Sequence, residues 1–557
     1  MPFRLSALLA STLIAPVLLA TTAKAVPVPA AGLEHDYVRA RAAAIVGDPG
    51  DAAKRFADIL KAVPGDRGTA VLLFRQAMLA GDRPLVERAA KIFAADSQPP
   101  ADIAWLLLAQ AIEAKQWKIA AGWADRLAGD PAFAFTSSVL QAWLGLANGN
   151  ADPLALLQAG KTKGAESPYV AEHRAWLLLA LGKKEEGVTA VRALADNPSA
   201  RSVRLRLGAA AELVKLGDRT AAVALLQGEG SALARARSIV AAGGDLPGAV
   251  GDAQAGIAEL MIRVAADAAR ERANNVALTL GRTATFLDPG NAETWLVTAE
   301  ILGNLEKPDL ALTALERIAP EDPLRDVADA SRVQMLARAD RRDEALAIAQ
   351  AAAVRPEATV ADHILVGDLL SALDRDREAA AAYGSALALA EKTPGRSDLW
   401  SIYLMRGGAL EQAGDWKAAE ADLAQAVRLA PEQPVALNYL GYAKLDRKED
   451  VANALRMVEK ASALAPDSAA ITDSLGWGYY LTGNLPGAIV KLEAAAKAEP
   501  ADPDINDHLG DAYWAAGRRL EARYAWRAAA IYAEGERRDR IRAKIDFGPS
   551  NGVTAQR

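Results

Sequence analysis

A Leu-Gly pair recurs three times near the end of the chain, at Leu440-Gly441, Leu475-Gly476 and Leu509-Gly510. Each pair is followed by an alanine twelve or thirteen residues later, and the glycines are 34 or 35 residues apart. A period of this length is typical of a helix–turn–helix unit that buries its apolar face only by stacking on copies of itself. It predicts a repeat array, which can extend over 557 residues without one large core.

The same register continues toward the N-terminus. Small residues occupy equivalent positions in eight units, at Ala265, Ala299, Val333, Gly367, Gly407, Gly441, Gly476 and Gly510. Most units place an alanine about twelve residues later, where the second helix crosses the first and a larger side chain would separate the helix axes. We therefore assign residues 257–532 to an array of about eight repeats. One longer step of 40 residues predicts a surface loop around Lys392–Asp398.

The segments on either side of this array have a weaker repeat code. Residues 35–227 show the helical period and predict divergent helix pairs of the same kind. Residues 228–256 are rich in glycine, and we interpret them either as a hinge or as one short repeat. Residues 533–557 predict a basic capping helix and tail. The alternative for this basic helix is an electrostatic docking site for a partner or an anionic surface.

The N-terminus predicts export. Residues 1–25 combine Arg4, an apolar run and the small residues Ala23 and Ala25, a pattern typical of a cleaved secretory signal peptide, and residues 26–34 form a linker. A retained membrane anchor is the alternative, but the apolar run is shorter than the ~20 residues that a span needs. We expect no transmembrane segment in the mature chain and a periplasmic location. The chain contains no cysteine, which excludes disulfides and a lipid-modified N-terminal cysteine.

The sequence offers no convincing catalytic motif. The four histidines, His35, His173, His363 and His508, are far apart, and no zinc-protease, phosphate-loop or nucleophile-elbow signature occurs. The net charge of −6 disfavours nucleic-acid binding. We therefore predict a protein that is not an enzyme, with no catalytic residues, no cofactor, no metal site and no nucleic-acid partner.

Residues 403–532 closely resemble tetratricopeptide repeat (TPR) proteins, and residues 257–402 resemble them clearly. The resemblance implies an all-α fold, a right-handed superhelical solenoid of antiparallel helix pairs. The segments LNYLGY, DSLGWGYY and INDHLGDAYW are similar to the C-terminal block of long bacterial cell-envelope TPR proteins. Some of that group are adaptors that hold a processing protease and its cell-wall hydrolase substrates. The resemblance therefore implies a scaffold role, although the lipoprotein cysteine expected of some such adaptors is absent here.

In that family the first helix of each pair lines an inner groove. The corresponding positions of the last three repeats give eight candidate partner-binding residues: Asn438, Tyr442, Asp473, Trp477, Tyr480, Asp507, Asp511 and Trp514. Aromatic anchors with a few polar groups suit a peptide groove, and the acidic bias predicts a basic or neutral ligand. The alternative is that Trp477 and Trp514 belong to the core between repeats. We expect a core role for five other tryptophans, Trp105, Trp143, Trp176, Trp295 and Trp400.

Three hypotheses about function remain open from the sequence. The first is a protein–protein interaction scaffold or adaptor of the bacterial cell envelope that binds a protein or peptide in its groove. An envelope protease or a cell-wall hydrolase is the candidate partner. The second hypothesis is a structural homo-oligomer in which the repeats associate with one another. The third, which the sequence favours least, is an enzyme with an unrecognised site in residues 26–254.

Overall fold

The computed structural model describes residues 32–96, 99–149, 152–159, 167–196, 199–356, 358–392 and 398–549. The predicted signal peptide, most of the linker and most of the predicted surface loop lie outside these ranges. Within them the chain forms thirty α-helices and no strand, which confirms an all-α solenoid of helix pairs. None of the described helices combines the length and apolar character that crossing a membrane requires.

The helices divide into two compact units, one ending at Arg341 and the other beginning at Arg342. This boundary differs from the hinge that we considered at residues 228–256, a segment that contains one helix of unit 1. The helices of unit 1 are α1 (Leu33–Val46), α2 (Pro49–Ala62), α3 (Arg67–Ala80), α4 (Arg83–Ala90), α5 (Ala101–Glu113), α6 (Trp117–Ala128), α7 (Ser137–Asn148), α8 (Pro153–Ala159), α9 (Pro168–Ala180), α10 (Lys184–Leu194), α11 (Ala200–Lys215), α12 (Arg219–Leu225), α13 (Ser231–Ala241), α14 (Ala253–Arg270), α15 (Asn274–Leu287), α16 (Ala292–Asn304), α17 (Pro308–Leu315) and α18 (Arg325–Arg338).

Unit 2 carries the strongest part of the repeat pattern. Its helices are α19 (Arg342–Ala353), α20 (Val360–Ser371), α21 (Asp376–Ala390), α22 (Leu399–Gln412), α23 (Trp416–Leu429), α24 (Pro434–Asp446), α25 (Val451–Leu464), α26 (Ala469–Leu481), α27 (Leu485–Ala498), α28 (Pro503–Ala515), α29 (Arg519–Tyr532) and α30 (Gly535–Phe547). From α20 onward each pair packs closely, and the second helix of a pair contacts the first helix of the next.

One turn conformation joins the two helices of a pair in both units. The residue between the helices has a left-handed backbone, with φ from 56° to 84°, at Gly81, Lys115, Gly182, Gly217, Arg272, Glu306, Asp340, Asp374, Gly414, Lys448, Gly483 and Gly517. Glycine adopts this conformation without steric cost, whereas the other residue types tolerate it at a cost. The shared turn shows that the divergent N-terminal pairs and the regular pairs are built alike.

The packing of a pair explains the glycines and alanines of the repeat. A Cβ atom added to Gly476 would lie 2.6 Å from Leu492 Cγ, and one added to Gly510 would lie 2.3 Å from Trp526 Cδ1. The alanines that we predicted in the second helices are fully or almost fully buried, as listed here: Ala277, Ala311, Ala345, Ala379, Ala419, Ala454, Ala488 and Ala522. The predicted close crossing of the two helices is therefore confirmed.

Unit 1 does not follow the expectation that each repeat packs only on its neighbours in sequence. Helices α14 and α15 also contact α3, α5, α7 and α9. At one of these contacts a Cβ atom on Gly256 would lie 2.1 Å from Trp143 Cε2, so the helices approach closely. The divergent pairs therefore fold back onto the first regular repeats, and a repeat period alone cannot reveal such contacts.

The tryptophans outside the candidate groove have mixed roles. Trp105, Trp143 and Trp176 are completely buried in unit 1, which confirms the core role predicted for them. Trp295 and Trp400 are only half-buried. Trp295 Nε1 donates a hydrogen bond to the Pro289 carbonyl oxygen at 2.9 Å, at the edge of its helix rather than inside the core. The prediction that these two are core residues is therefore wrong.

Candidate functional site

The eight predicted partner-binding residues lie on the first helices of the last three pairs of unit 2. Asn438 and Tyr442 are on α24, which contacts α26. Helix α26 carries Asp473, Trp477 and Tyr480, and it contacts α28 in turn. Helix α28 carries the remaining three residues, Asp507, Asp511 and Trp514. The eight residues therefore lie on three adjacent helices, as the repeat register predicted, and Asp473 is buried while the others are half-buried.

Four aromatic rings from these helices form one cluster. The indole of Trp477 stacks on the ring of Tyr480 with centroids 4.8 Å apart, and on its other neighbour, the imidazole of His508, at 4.2 Å. Tyr442 lies 6.4 Å from the same imidazole. We call Tyr442, Trp477, Tyr480 and His508 the aromatic cluster. Because the rings are stacked and half-buried, they form a large rigid surface, and a partner would not have to order them on binding.

A buried carboxylate holds the imidazole of the aromatic cluster in place. His508 Nδ1 lies 2.9 Å from Asp473 Oδ2 and 3.0 Å from Oδ1, so the ring nitrogen donates its proton to the carboxylate. Burial lowers the pKa of His508, but the negative charge and hydrogen bond of Asp473 outweigh burial, and the net pKa is raised. Asp473 is therefore the structural partner of His508 and is not a free carboxylate in the groove.

The other two predicted carboxylates are held by the C-terminal helix. Lys544 Nζ lies 2.8 Å from Asp507 Oδ1 and 2.8 Å from Asp511 Oδ2. Burial raises the pKa of Asp511, whereas the Lys544 ammonium acts to lower it. All three carboxylates of the predicted site therefore have internal cationic or imidazole partners. These partners reduce the negative charge that the groove offers to a basic ligand, and the preference for a basic or neutral ligand stays a prediction.

Trp514 lies beneath the end of the same helix. Its indole packs 5.4 Å from the ring of Trp526, and the Arg519 guanidinium lies 3.7 Å above it. A Cβ atom on Gly548 would lie 2.2 Å from Trp514 Cζ2, so the backbone after α30 covers the indole directly. On α30 itself, Ile541 is completely buried against the apolar cluster around Trp526. Trp514 thus packs against the C-terminal cap, and its assignment to the groove or to the core between repeats stays a prediction.

Two polar atoms of the predicted site lack hydrogen-bond partners. Among the described residues, none bonds to Trp477 Nε1 or to Asn438 Oδ1, although both atoms are buried from solvent. A buried donor or acceptor without a partner costs about 1–3 kcal/mol. A partner that offered a carbonyl to the indole or a donor to the amide would remove that cost. Within the aromatic cluster, His508 is already paired with Asp473, whereas the stacked rings of Trp477 and Tyr480 take part in no ion pair among the described residues.

The sequence analysis missed His508 and Lys544 as site residues. His508 follows Asp507, the residue that lies one repeat after Asp473, so the repeat register places it on the next first helix but does not show that its imidazole reaches Asp473. Lys544 lies 34 residues after Gly510, where the first helix of a further repeat would place its small residue. The capping helix therefore continues the array by one half-repeat, and its lysine reaches the preceding first helix.

Across the described ranges, no group of three or more histidine, aspartate and glutamate side chains is placed to hold a metal ion. The imidazole of His508 is held between an indole and a carboxylate, which favours a fixed orientation. Binding by the eight predicted residues themselves stays a prediction.

Known proteins that are similar to this chain include repeat proteins. No protein-family model matches the chain. A TPR repeat-containing protein of Pseudomonas aeruginosa is 33% identical over 215 residues, which are 38% of this chain and 35% of that protein. The chain thus spans about a third of the length of this curated relative.

Two solved structures are also similar. A tetratricopeptide repeat protein from Parabacteroides merdae shares 14% identity with a TM-score of 0.39, over 46% of this chain and 98% of that one. A chain of the Cut9–Hcn1 hetero-tetramer of APC/C shares 14% identity with a TM-score of 0.36, over 93% of this chain and 97% of that one.

Proposed function

We propose that this chain, which is similar to a TPR repeat-containing protein over part of its length, is a non-catalytic scaffold of the bacterial cell envelope. In this proposal a partner protein lies across α24, α26 and α28 and contacts the aromatic cluster. Its location is periplasmic, after removal of residues 1–25 as a signal peptide. An envelope protease or a cell-wall hydrolase is the partner class that the envelope resemblance suggests.

The main observation behind this proposal is that the Trp477 indole is held rigid but has an unpaired hydrogen-bond donor. Its indole is stacked on both Tyr480 and His508, yet its Nε1 atom has no partner among the described residues. Tryptophans that are held rigid and retain a polar handle are common energetic centres of protein interfaces. The unpaired donor on a pre-ordered ring therefore supports a binding role at this position.

The charge of the site supports a partner segment that is mainly apolar or aromatic. Lys544 forms ion pairs with Asp507 and Asp511, and His508 forms a hydrogen bond with Asp473. A basic ligand would have to displace one of these internal partners and would gain little. A neutral segment with a backbone carbonyl near Trp477 Nε1 meets no such competition.

Affinity capture from an envelope extract tests the proposal. Mature wild-type protein and the variant Trp477→Ala serve as baits, and bound proteins are compared quantitatively by mass spectrometry. We expect the variant to bind the specific partner about thirtyfold or more weakly, since truncating a central interface tryptophan typically costs about 2 kcal/mol or more. Equal recovery of every partner by both baits would contradict the proposed surface.

The control variant is Tyr532→Ala. Tyr532 is also an aromatic residue of unit 2, but it lies on α29 and is 53% exposed, away from the aromatic cluster. This variant should recover the partner as wild-type protein does. Circular dichroism and thermal unfolding of both variants show whether the helical array is intact.

One observation favours the second candidate function, self-association. Leu520, Tyr524 and Ile531 lie on one side of α29, at spacings of four and seven residues, and each is at least 59% exposed. An exposed apolar stripe on a helix is a common contact between copies of a protein. Light scattering over a range of concentrations tests this alternative, and a monomer at every concentration would reject it.

A further inference from the structure

The outer surface of α29 carries exposed apolar side chains that the preceding second helices do not have. Leu520, Tyr524 and Ile531, which we call the apolar stripe, lie on one side of the helix and are each at least 59% exposed. The same repeat positions of α25 and α27 hold smaller or polar residues: Ala452, Arg456, Ala463, Pro486, Val490 and Lys497. The apolar stripe is therefore a feature of the last helix pair and not of the repeat.

A row of arginines follows α29 beside the apolar stripe. At about 100° per residue, the stripe lies about 120° to 160° around the helix from Trp526, whose indole is buried against α30. Arg523 and Arg527 lie at about 60° and 100° in the same direction, between the buried face and the stripe. Arg523 Nε donates a hydrogen bond to the Ile545 carbonyl oxygen at 3.0 Å, so this row borders α30.

Helix α30 adds two arginines along the same border. Its residue Ile541 is completely buried against α29, and Arg538 and Arg542 lie about 60° and 100° around the helix from it. Lys544 lies about 60° in the opposite direction and pairs with carboxylates of α28. Arg538 and Arg542 therefore lie on the side away from α28, where α30 borders the outer surface of α29.

These four arginines form what we call the basic band: Arg523, Arg527, Arg538 and Arg542. Three of them are exposed, and Arg523 is half-buried. Among the residues that the structure describes, no carboxylate forms an ion pair with any of the four. The basic band therefore presents positive charge that internal ion pairs do not neutralise, and it lies directly beside the apolar stripe.

The carboxylates of this region lie at the margins of the basic band. Glu521, the only carboxylate within α29, accepts a hydrogen bond from Arg518 at 3.1 Å. Glu534 precedes α30, at the end of the band. The other three lie on the side of α30 away from Ile541: Glu536, Asp539 and Asp546. Residues 518–547 carry nine basic and five acidic side chains, a net charge of +4, whereas the whole chain carries −6.

We propose that this surface binds an anionic phospholipid membrane, with the basic band against the headgroups and the apolar stripe inserted among them. Interfacial binding of this kind grows with the buried apolar area and with the electrostatic attraction to anionic lipids. It holds the array at a membrane without a transmembrane helix. The surface shares no residue with the aromatic cluster, so this inference goes beyond the proposed function.

A second copy of the chain is the other occupant that the apolar stripe suits. A two-fold contact between copies would bring the basic bands of both copies to the same interface. Charges of one sign repel each other there, whereas an anionic membrane offers charges of the opposite sign. The charge of the basic band therefore favours lipid over a second copy.

Vesicle sedimentation with residues 26–557 tests the proposal, because this chain lacks the apolar N-terminal run. The probes are vesicles of phosphatidylcholine alone and vesicles with equal parts of phosphatidylcholine and phosphatidylglycerol. We expect the anionic vesicles to bind about a hundredfold or more tightly, since each arginine near an anionic surface strengthens binding about fivefold. High salt should reduce this preference. Equal binding to both kinds of vesicle, or binding to neither, would overturn the proposal.

A pair of charge variants locates the basic band. Arg527→Gln combined with Arg538→Gln should weaken binding to the anionic vesicles about thirtyfold. Arg377→Gln combined with Arg456→Gln removes the same charge from exposed positions on α21 and α25, and it should bind as wild-type protein does. Equal affinities of the two double variants would show that net charge, rather than the basic band, attracts the vesicles.

A second pair of variants tests insertion of the apolar stripe. Leu520→Ser combined with Ile531→Ser should weaken binding about tenfold or more even at high salt, where charges are screened but apolar contacts persist. Val354→Ser combined with Val435→Ser changes exposed apolar residues elsewhere in unit 2 and should leave binding unchanged. Wild-type affinity of the stripe variant would contradict insertion.

Light scattering without lipid separates the two occupants of the apolar stripe. We expect a monomer at every concentration. A dimer that Leu520→Ser combined with Ile531→Ser abolishes would assign the stripe to a second copy and would overturn the membrane proposal. Circular dichroism shows whether each variant keeps the helical array.

Discussion

The imidazole of His508 lies flat on the indole of Trp477, with ring centroids 4.2 Å apart and planes only 19° from parallel. The same imidazole donates a hydrogen bond to Asp473, on the helix that carries Trp477. His508 on α28 therefore holds both Asp473 and Trp477 of α26 in position. A protonated imidazole would be stabilised by the carboxylate and by the face of the indole together.

The first prediction concerns the pH dependence of His508. Because the folded state raises its pKa above the unfolded value of about 6.5, its stabilising contribution is fully present below that value and is lost as the pH rises through the folded pKa. Replacing it by His508→Gln should cost about 1.5–3 kcal/mol near pH 5, where the hydrogen bond is charge-assisted. The cost should be smaller near pH 9.

Thermal unfolding of wild-type and variant protein at both pH values measures this difference. His363→Gln, on α20, is the matched control because it changes the same residue type in unit 2, outside the aromatic cluster. A cost of His508→Gln that is the same at acidic and alkaline pH would show that the imidazole does not change charge in this range.

The second prediction concerns the lysine that joins the cap to the array. Lys544→Met leaves Asp507 and Asp511 facing each other without their cation, so we expect a loss of about 1–3 kcal/mol. The loss should appear as faster amide hydrogen exchange in α30. It should decrease in acid, where protonation removes the repulsion between the two carboxylates.

Arg542→Met is the control for Lys544→Met. Arg542 lies on the same helix but is exposed, so its replacement should change stability by no more than about 0.5 kcal/mol. Adding Asp511→Asn to Lys544→Met should restore part of the protection of α30. If Lys544→Met and Arg542→Met exchange alike, the two ion pairs of Lys544 contribute nothing measurable to the cap.

The third prediction concerns the glycine of the helix crossing. Gly510→Ala places a methyl group 2.3 Å from Trp526 Cδ1, a completely buried side chain that cannot move aside freely. We expect a loss of about 1–3 kcal/mol from overpacking. The midpoint of thermal unfolding should fall accordingly.

Gly384→Ala is the matched change in another helix of unit 2. A methyl group there would meet only the Arg406 side chain, at an ordinary 3.6 Å. Because alanine favours a helix over glycine by up to about 1 kcal/mol, this variant should be as stable as wild-type protein or more stable. Similar changes in stability for the two variants would contradict the proposed overpacking at Trp526.

Much of the fold could be predicted from the sequence because each helix pair is specified by residues that are close together in the sequence. The helical period, the small residue of the first helix and the alanine of the second recur together, and each acts within one pair. Gly476 and Ala488, for example, are only twelve residues apart, and both are buried at the same crossing. The left-handed turn at Gly483 and at Gly517 follows from the same spacing. The repeat register alone was therefore enough to predict that the eight candidate residues lie on adjacent first helices.

The partners of those residues were decided by the tertiary structure. Asp473 meets His508, and Asp511 meets Lys544, across helices that belong to different repeats. In unit 1, α14 and α15 contact α3, α5, α7 and α9, which are distant in the sequence. Such contacts depend on small rotations between successive helix pairs, which accumulate along the array and leave no periodic trace in the sequence. The sequence by itself determined the helix pair and its stacking, and only the tertiary structure decided which charges remain free to bind a partner.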